Sequence, residues 1–333
     1  MDREQEQMQF LGRFGIFKES FKIIISCRKI FTQITLTLIL PLTFIFLAHL
    51  EISNSLFPDT EDSNFEKDII RPVTKIYINL SNTLSSKFIT FWLFTVAYFT
   101  ILFILSLLST AAVVYTIASV YTGRELTFKK VMSVVPKVGK RLMVTFTCVF
   151  LAFLVYNLSL VLIIITYVKV LPNSEFVDYL FVVVFITYGM WFIYMTMMWQ
   201  LASVVSVLES VYGFKAMTKS MNLIKGNREV ATYIFFLLNI SFALIQFSFE
   251  SWVVEGRFLE AWKRVGLGVL CFILLLTLFL FGLVIQTILY LVCKSYHHEN
   301  IDKGDLSNHL ESYLGDYQRI NGKQAVQLEQ YHV

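Results

Sequence analysis

The sequence VGLGVLCFILLLTLFLFGLVIQTILYLVC, residues 265–293, runs for 29 residues without a charged side chain. A helix of roughly 20 apolar residues is long enough to cross a hydrocarbon core about 30 Å thick. Five further uncharged segments precede this one, and together they predict spans near 30–50, 88–121, 142–168, 179–208, 230–249 and 265–293. The sequence therefore predicts an all-α, polytopic membrane bundle of six transmembrane helices.

Composition agrees with a membrane protein, because 56% of the 333 residues are hydrophobic and only 16% are charged. That is too apolar for a water-soluble fold of this length. The predicted organisation is a cytosolic segment over 1–29, a transmembrane domain over 30–293 and a cytosolic tail over 294–333. No stretch between spans is long enough to predict a separate soluble domain.

The orientation follows from the positive-inside rule. An even number of spans places both termini on one side, and that side carries 20 of the 28 Lys and Arg residues. Both termini are therefore predicted to be cytosolic, in the plasma membrane or another membrane of the secretory pathway.

An amphipathic helix is predicted before the first span. Phe10, Phe14, Phe17, Phe21 and Ile24 recur at steps of three and four residues, which places them on one helical face. A helix of this kind lies in the headgroup plane of the bilayer. A helix that docks onto a protein partner is the alternative.

Polar residues inside the spans are few. Pro41 removes a backbone donor near the middle of span one and predicts a kink. Amide side chains in a bilayer usually bond to neighbouring helices, although they can also line a path for an uncharged solute. Six are present: Gln33, Asn157, Gln200, Asn239, Gln246 and Gln286.

Two modifications are candidates. Asn79-Leu80-Ser81 is an N-glycosylation sequon in the predicted outer loop over 51–87. Cys27 and Cys293 lie at the predicted cytosolic edges of spans one and six, where a thiol can be acylated. Ordinary packing cysteines are the alternative at both positions.

A weak internal repeat marks the two central hairpins. Ser119-Val120-Tyr121, followed by Gly123, ends span two, and Ser210-Val211-Tyr212, followed by Gly213, comes after span four. A basic stretch follows each glycine, over 124–141 and 214–228. These stretches are predicted to lie on the membrane surface.

The tail carries the strongest candidate for a protein contact. Leu306, Leu310 and Leu314 recur every four residues and predict a short amphipathic helix over 301–317. The six acids and four bases of the tail disfavour adhesion to an anionic leaflet. We expect this helix to dock on the cytosolic loops of the chain or on a partner protein.

Catalytic motifs and metal-binding patterns are weak. The adjacent histidines His297 and His298 lie in a hydrated tail and lack the geometry of a closed metal site. His49 has Glu51 as its acidic neighbour and is interpreted as an interfacial anchor. The sequence therefore predicts no enzyme, no catalytic, metal-binding or cofactor-binding residue, no cofactor and no nucleic-acid partner.

Three stretches together resemble a plant family of six-span membrane proteins without an assigned molecular function. They are Phe14–Ser20 leading to Pro41-Leu42 and His49; Leu208–Gly213 leading to Ala216, Lys219-Ser220 and Leu223–Gly226; and Cys293–Glu299. The second stretch also resembles, more weakly, a bacterial membrane domain associated with glycerophosphodiester phosphodiesterases, whose catalytic domain the chain lacks. The resemblance implies the topology and a plant origin, and no chemistry.

Two classes of function remain open. The first is a non-catalytic membrane scaffold or adaptor, indicated by charge-free spans, interfacial helices and the tail. The alternative is a transporter or channel for an uncharged or lipid-like solute, indicated by the six spans and the amides within them. In both cases the lipid bilayer is the first partner.

Overall fold

The computed structural model describes residues 12–56, 73–123, 126–170, 175–256 and 260–297; within these ranges the side chains of 53–56, 73–92, 168–170 and 175–178 are not described. Regular structure in the described ranges is entirely helical. We number the α-helices in chain order: α1 Arg13–Ser26, α2 Arg28–Ile34, α3 Leu40–Leu56, α4 Val73–Tyr121, α5 Phe128–Val170, α6 Glu175–Leu208, α7 Phe214–Ile224, α8 Arg228–Phe249 and α9 Ala261–Tyr296. Two π-helical turns, Thr35–Ile39 and Glu250–Val254, follow α2 and α8.

Six stretches of these helices are long and apolar enough to cross a bilayer, which confirms the predicted all-α, six-span fold. They fit a multi-pass membrane protein. Their bounds are Arg28–Ile52, Leu93–Tyr121, Phe128–Tyr167, Tyr179–Leu208, Arg228–Val254 and Ala261–Tyr296.

The helices extend beyond the uncharged segments that predicted them. The predicted loop over 51–87 is helical up to Leu56 and again from Val73, so the sequon at Asn79 lies in helical backbone. The basic stretch before span three is likewise helical from Phe128 onward, continuous with the span. Helical hydrogen bonds join backbone groups four residues apart and do not involve the side chains, so a helix can continue past the point where charged side chains begin.

The chain divides into two compact units, and we describe each by itself. Unit 1 comprises Met1–Thr35, Leu107–Phe242 and Leu278–Val333. Unit 2 comprises Leu36–Ser106 and Ala243–Thr277.

The core of unit 1 is built from the last turns of spans two, four and six. In these turns almost every side chain is buried, and many are small, such as Ala112 and Ala118 in α4 and Ala202 in α6. Small side chains let helix backbones approach closely, which is how membrane helices associate without a hydrophobic driving force. The three buried segments cover residues 109–119, 197–208 and 284–293.

The first part of α5 covers this core with an amphipathic face. Val131, Val134, Val138 and Leu142 are fully buried, at the spacing of one helical stripe. The lysines at 129, 130, 137 and 140 are exposed on the other side of the helix. Burial of this stripe explains why the basic stretch is an ordered helix.

A π-helical turn, Thr35–Ile39, directly precedes the predicted kink at Pro41. A proline cannot donate to the preceding turn, and a π-helical turn is one way in which a helix accommodates that loss. Thr43 donates its hydroxyl hydrogen to the carbonyl of Ile39 at 2.8 Å, which satisfies one acceptor in this region. The structure thus shows a change of helix type before Pro41, while a bend at Pro41 stays a prediction.

Unit 2 contains a second polar contact, at the π-helical turn Glu250–Val254. The guanidinium of Arg264 donates from Nε and Nη2 to the carbonyl of Val253, at 3.0 and 2.5 Å, and Nη2 lies 3.9 Å from a carboxylate oxygen of Glu51. In the same unit the ring of His49 stacks on that of Tyr98, with centroids 3.7 Å apart. His49 therefore packs against an aromatic ring, and Glu51 pairs with Arg264.

Candidate functional site

The most concentrated polar contacts of unit 1 centre on Glu209, the residue directly after span four. Its Oε2 lies 2.7 Å from the ammonium of Lys219 in α7. Its Oε1 accepts hydrogen bonds from Lys294 at 2.9 Å and from the hydroxyl of Tyr290 at 2.6 Å, both in α9. We call Glu209, Lys219, Tyr290 and Lys294 the carboxylate clamp, because one carboxylate joins three helical elements.

The clamp is shielded from solvent to different degrees. The Glu209 side chain is 10% exposed, that of Lys294 18% and that of Lys219 31%. Burial by itself raises the pKa of the Glu209 carboxyl, but hydrogen bonds from Lys219, Tyr290 and Lys294 and the positive charge of Lys294 outweigh it and hold the pKa below its ordinary value. Glu209 is therefore an ionised acceptor whose two oxygens are both engaged, which suits it to holding helices together and makes it a poor proton acceptor.

The turn after Glu209 is also held by span three. The backbone N–H of Gly213 donates to the hydroxyl oxygen of Thr145 at 2.8 Å, and that hydroxyl lies 2.7 Å from the hydroxyl of Ser206. Gly213 has φ +66°, in the left-handed region where a side chain is strained. The turn between α6 and α7 thus depends on a glycine at this position.

The internal repeat predicted from the sequence has a structural counterpart at the two glycines. Gly123 has φ +68°, nearly the same as Gly213. Each glycine follows the buried end of a span and precedes an amphipathic helical stretch, α5 or α7. The two places share the left-handed glycine but not the backbone before it, because Ser119-Val120-Tyr121 is helical and Ser210-Val211-Tyr212 lies beyond the end of α6.

The short helix α7 is held along its length. Its buried residues are Ala216, Ser220, Leu223 and Ile224. Ser220 donates to the carbonyl of Met198 in α6 at 3.0 Å. Together with the salt bridge of Lys219, this bond fixes α7 on the end of span four.

The end of α9 packs on the last turn of α7 and on the residues that follow it. Nε2 of His297 lies 3.0 Å from the carbonyl oxygen of Leu223. The ring of Tyr296 occupies the space where a side chain at Gly226 would be, so only glycine fits there without movement. We refer to this region of unit 1, including the carboxylate clamp, α7 and the end of α9, as the clamp end.

Two of the six candidate amides bond within their own helices. Asn157 and Asn239 each donate to the carbonyl four residues earlier in the same helix, at 2.8 and 2.7 Å. Gln33 is exposed, Gln200 and Gln246 are half-buried, and Gln286 is buried. These two bonds do not reach a neighbouring helix, so the choice between a packing role and a solute path stays open for Asn157 and Asn239.

The other candidate residues fall in different surroundings. Cys293 is fully buried and Cys27 half-buried, so the thiol of Cys293 is poorly placed for acylation in this conformation, while Cys27 stays a candidate. The side chain of Asn79 and the predicted tail helix over 301–317 lie outside the described residues, as does His298. Within the described part of the chain, no group of three or more His, Cys, Asp or Glu could hold a metal ion.

Sequence reasoning missed the clamp as a site, although it singled out the stretches that contain Glu209, Lys219 and Lys294. The available signal was an acid directly after one span and a lysine directly after another. Their pairing could not be read from the sequence, because 85 residues separate Glu209 from Lys294. Tyr290 gave no signal, since it reads as one more residue of an apolar span.

Comparison with known proteins gives a family and no function. Neither the curated proteins nor the solved structures contain a match to the chain. The plant origin stays a prediction. One family matches residues 1–331, under the description "Domain of unknown function (DUF8558)", and the chain belongs to that family.

Proposed function

We propose that the protein is a non-catalytic membrane scaffold or adaptor that presents the clamp end to a partner protein. The observation that carries this proposal is the carboxylate clamp, in which both oxygens of Glu209 bind donors from two other helical elements. Charged groups that hold helices in place support a fixed surface. They are not arranged for proton transfer or for passage of a charged solute.

The accessible part of the clamp end combines polar side chains with two aromatic rings, Phe214 and Tyr296, which are 64% and 41% exposed. Lys215, Thr218 and Asn222 are exposed on α7, opposite its buried face, and Lys225 is exposed directly after the helix. Lys225 bonds to Asn222 at 2.9 Å, one turn apart. A rigid helix that shows amides, hydroxyls and lysines is a suitable surface for a partner with complementary acidic groups.

We further propose that the clamp end is cytosolic, with both termini on the same side. The support is the distribution of Lys and Arg, 20 on this side and eight on the other. The membrane would be the plasma membrane or another membrane of the secretory pathway. The predicted tail helix, which begins a few residues after the clamp end, is the second proposed contact for a partner.

The test is site-specific photo-cross-linking of the full-length protein in native membranes. A benzophenone amino acid replaces Lys215 or Asn222 on α7, and Val155, which is 67% exposed on span three, serves as the lipid-facing control. We expect one recurring protein adduct from the α7 positions and lipid adducts from Val155. Lipid adducts alone at all three positions would contradict the proposal.

A transporter or channel for an uncharged or lipid-like solute is the second candidate. The observation that favours it is that the core of unit 1 buries polar groups, including Gln286 and the hydroxyl of Ser119, which has no hydrogen-bond partner among the described residues. Saturable flux of a neutral solute through the reconstituted protein would establish this candidate in place of the scaffold.

A further inference from the structure

The outward face of helix α1 exposes large apolar side chains that no described residue of the chain covers. Phe14 is 84% exposed, Phe21 61% and Ile25 55%. Steps of seven and four residues place the three on one ridge of the helix, which we call the outer ridge. The opposite side of α1 is the one that packs on unit 1, through the buried residues Ile16 and Ser20.

The phenylalanines that the sequence predicted on one face of this helix have different surroundings in the structure. Phe17 turns toward unit 1, where its ring stacks on that of Phe281 with centroids 6.1 Å apart. Phe14 and Phe21 remain on the outer ridge, and Phe10 lies outside the described residues. Exposure of two phenylalanines and an isoleucine on a single ridge is costly in water and requires an apolar cover.

Two lysines lie at the outer ridge. Lys18 stands between Phe14 and Phe21 on the same side of the helix, Lys22 lies next to Phe21, and both are exposed. Lys22 lies 3.3 Å from Glu19, so its charge is partly compensated, whereas Lys18 has no acidic neighbour among the described ion pairs. A ridge of apolar side chains bordered by lysines is the pattern of a helix embedded at the boundary of headgroups and acyl chains.

The position of α1 in the chain indicates what covers the outer ridge. Only Cys27 separates α1 from α2, which begins span one, so α1 lies next to the point where the chain enters the bilayer. We propose that the outer ridge inserts into the leaflet at the clamp side and that Lys18 and Lys22 select anionic phospholipid headgroups there. This goes beyond the proposed scaffold function, because it assigns a lipid class to α1 whether or not the clamp end binds a protein.

The experiment uses the full-length protein in nanodiscs that contain equal amounts of a zwitterionic and an anionic phospholipid. A benzophenone amino acid replaces Phe14 or Phe21, and Ser26, on another face of α1, is the control position. Adducts are identified by mass spectrometry. We expect lipid adducts from Phe14 and Phe21, enriched in the anionic lipid by on the order of five-fold for one uncompensated lysine, and few adducts from Ser26.

The double variant K18Q/K22Q separates the two parts of the proposal. The lipid adducts should persist, while their anionic enrichment falls to the bulk ratio. If the adducts of K18Q/K22Q are still enriched in the anionic lipid, the proposal that Lys18 and Lys22 select anionic headgroups is overturned. Predominant protein adducts from Phe14 and Phe21, observed in native membranes with the same probes, would show that a partner covers the ridge and would overturn the insertion.

Discussion

Replacement of Glu209 by Gln tests the carboxylate clamp with nearly unchanged side-chain volume. The substitution removes the charge that Lys219, Lys294 and Tyr290 share, at distances of 2.6 to 2.9 Å. Breaking a fully buried ion pair costs about 3–5 kcal/mol. Lys294 is 18% exposed and Lys219 31%, so each can recover part of its hydration. We therefore expect Glu209→Gln to lower the free energy of unfolding by about 2–4 kcal/mol.

The measurement is reversible unfolding of the purified protein in mixed micelles, followed by far-UV circular dichroism. Glu229→Gln is the matched control, because the Glu229 side chain is 92% exposed and its carboxylate lies 4.0 Å from Arg13. An exposed pair of this kind contributes about 0–1 kcal/mol. If both substitutions cost the same small amount, the clamp does not stabilise unit 1 and the reasoning is refuted.

Three further predictions concern the same fold. The folded pKa of Glu209 lies below its ordinary value of 4.5, so the stability that the clamp contributes should be complete above pH 4.5 and be lost as the pH falls through the folded pKa. A Glu209→Gln protein should lack this loss of stability in acid. Equal acid sensitivity of the wild-type and Glu209→Gln proteins would contradict the prediction. Gly213→Ala should destabilise the protein by about 1–2 kcal/mol, because Gly213 has φ +66°. Gly139→Ala, within α5 and facing open space, should stabilise it by about 0.5–1 kcal/mol. Both are measured in the same unfolding assay, and changes in the free energy of unfolding of the same sign would count against the left-handed turn. Arg264→Met should cost about 1–2 kcal/mol, since the part-buried carbonyl of Val253 loses a charged donor, and an unchanged free energy of unfolding would argue against that contact.

The six spans could be predicted from the sequence because the bilayer imposes a simple rule. A segment such as 265–293 must satisfy its backbone internally and keep charges out, and both requirements are visible in a single sequence. The ends of the helices could not be predicted in the same way. Charge at Lys140 and Arg141 marks the edge of the apolar segment, whereas the helix begins at Phe128 because its valine stripe packs on the core.

The candidate site was less accessible to sequence reasoning than the fold. Its charged residues lie outside the uncharged segments, where a charge is typical of an ordinary loop residue. The contact between Lys219 and Glu209 depends on the left-handed turn at Gly213, and that between Lys294 and Glu209 on the packing of span six beside span four. Neither can be read from spacing. The repeated Ser-Val-Tyr motif precedes a left-handed glycine in both places, and the relation between the two hairpins stays a prediction.

The function proposed for the protein is tested most directly by solute flux in liposomes that contain the purified protein. The panel comprises uncharged solutes and fluorescent lipids, and protein-free liposomes give the background. The scaffold proposal predicts that flux stays at this background for every compound, at all protein densities. Saturable flux of any one of them, proportional to the amount of folded protein, would contradict it and establish the transporter.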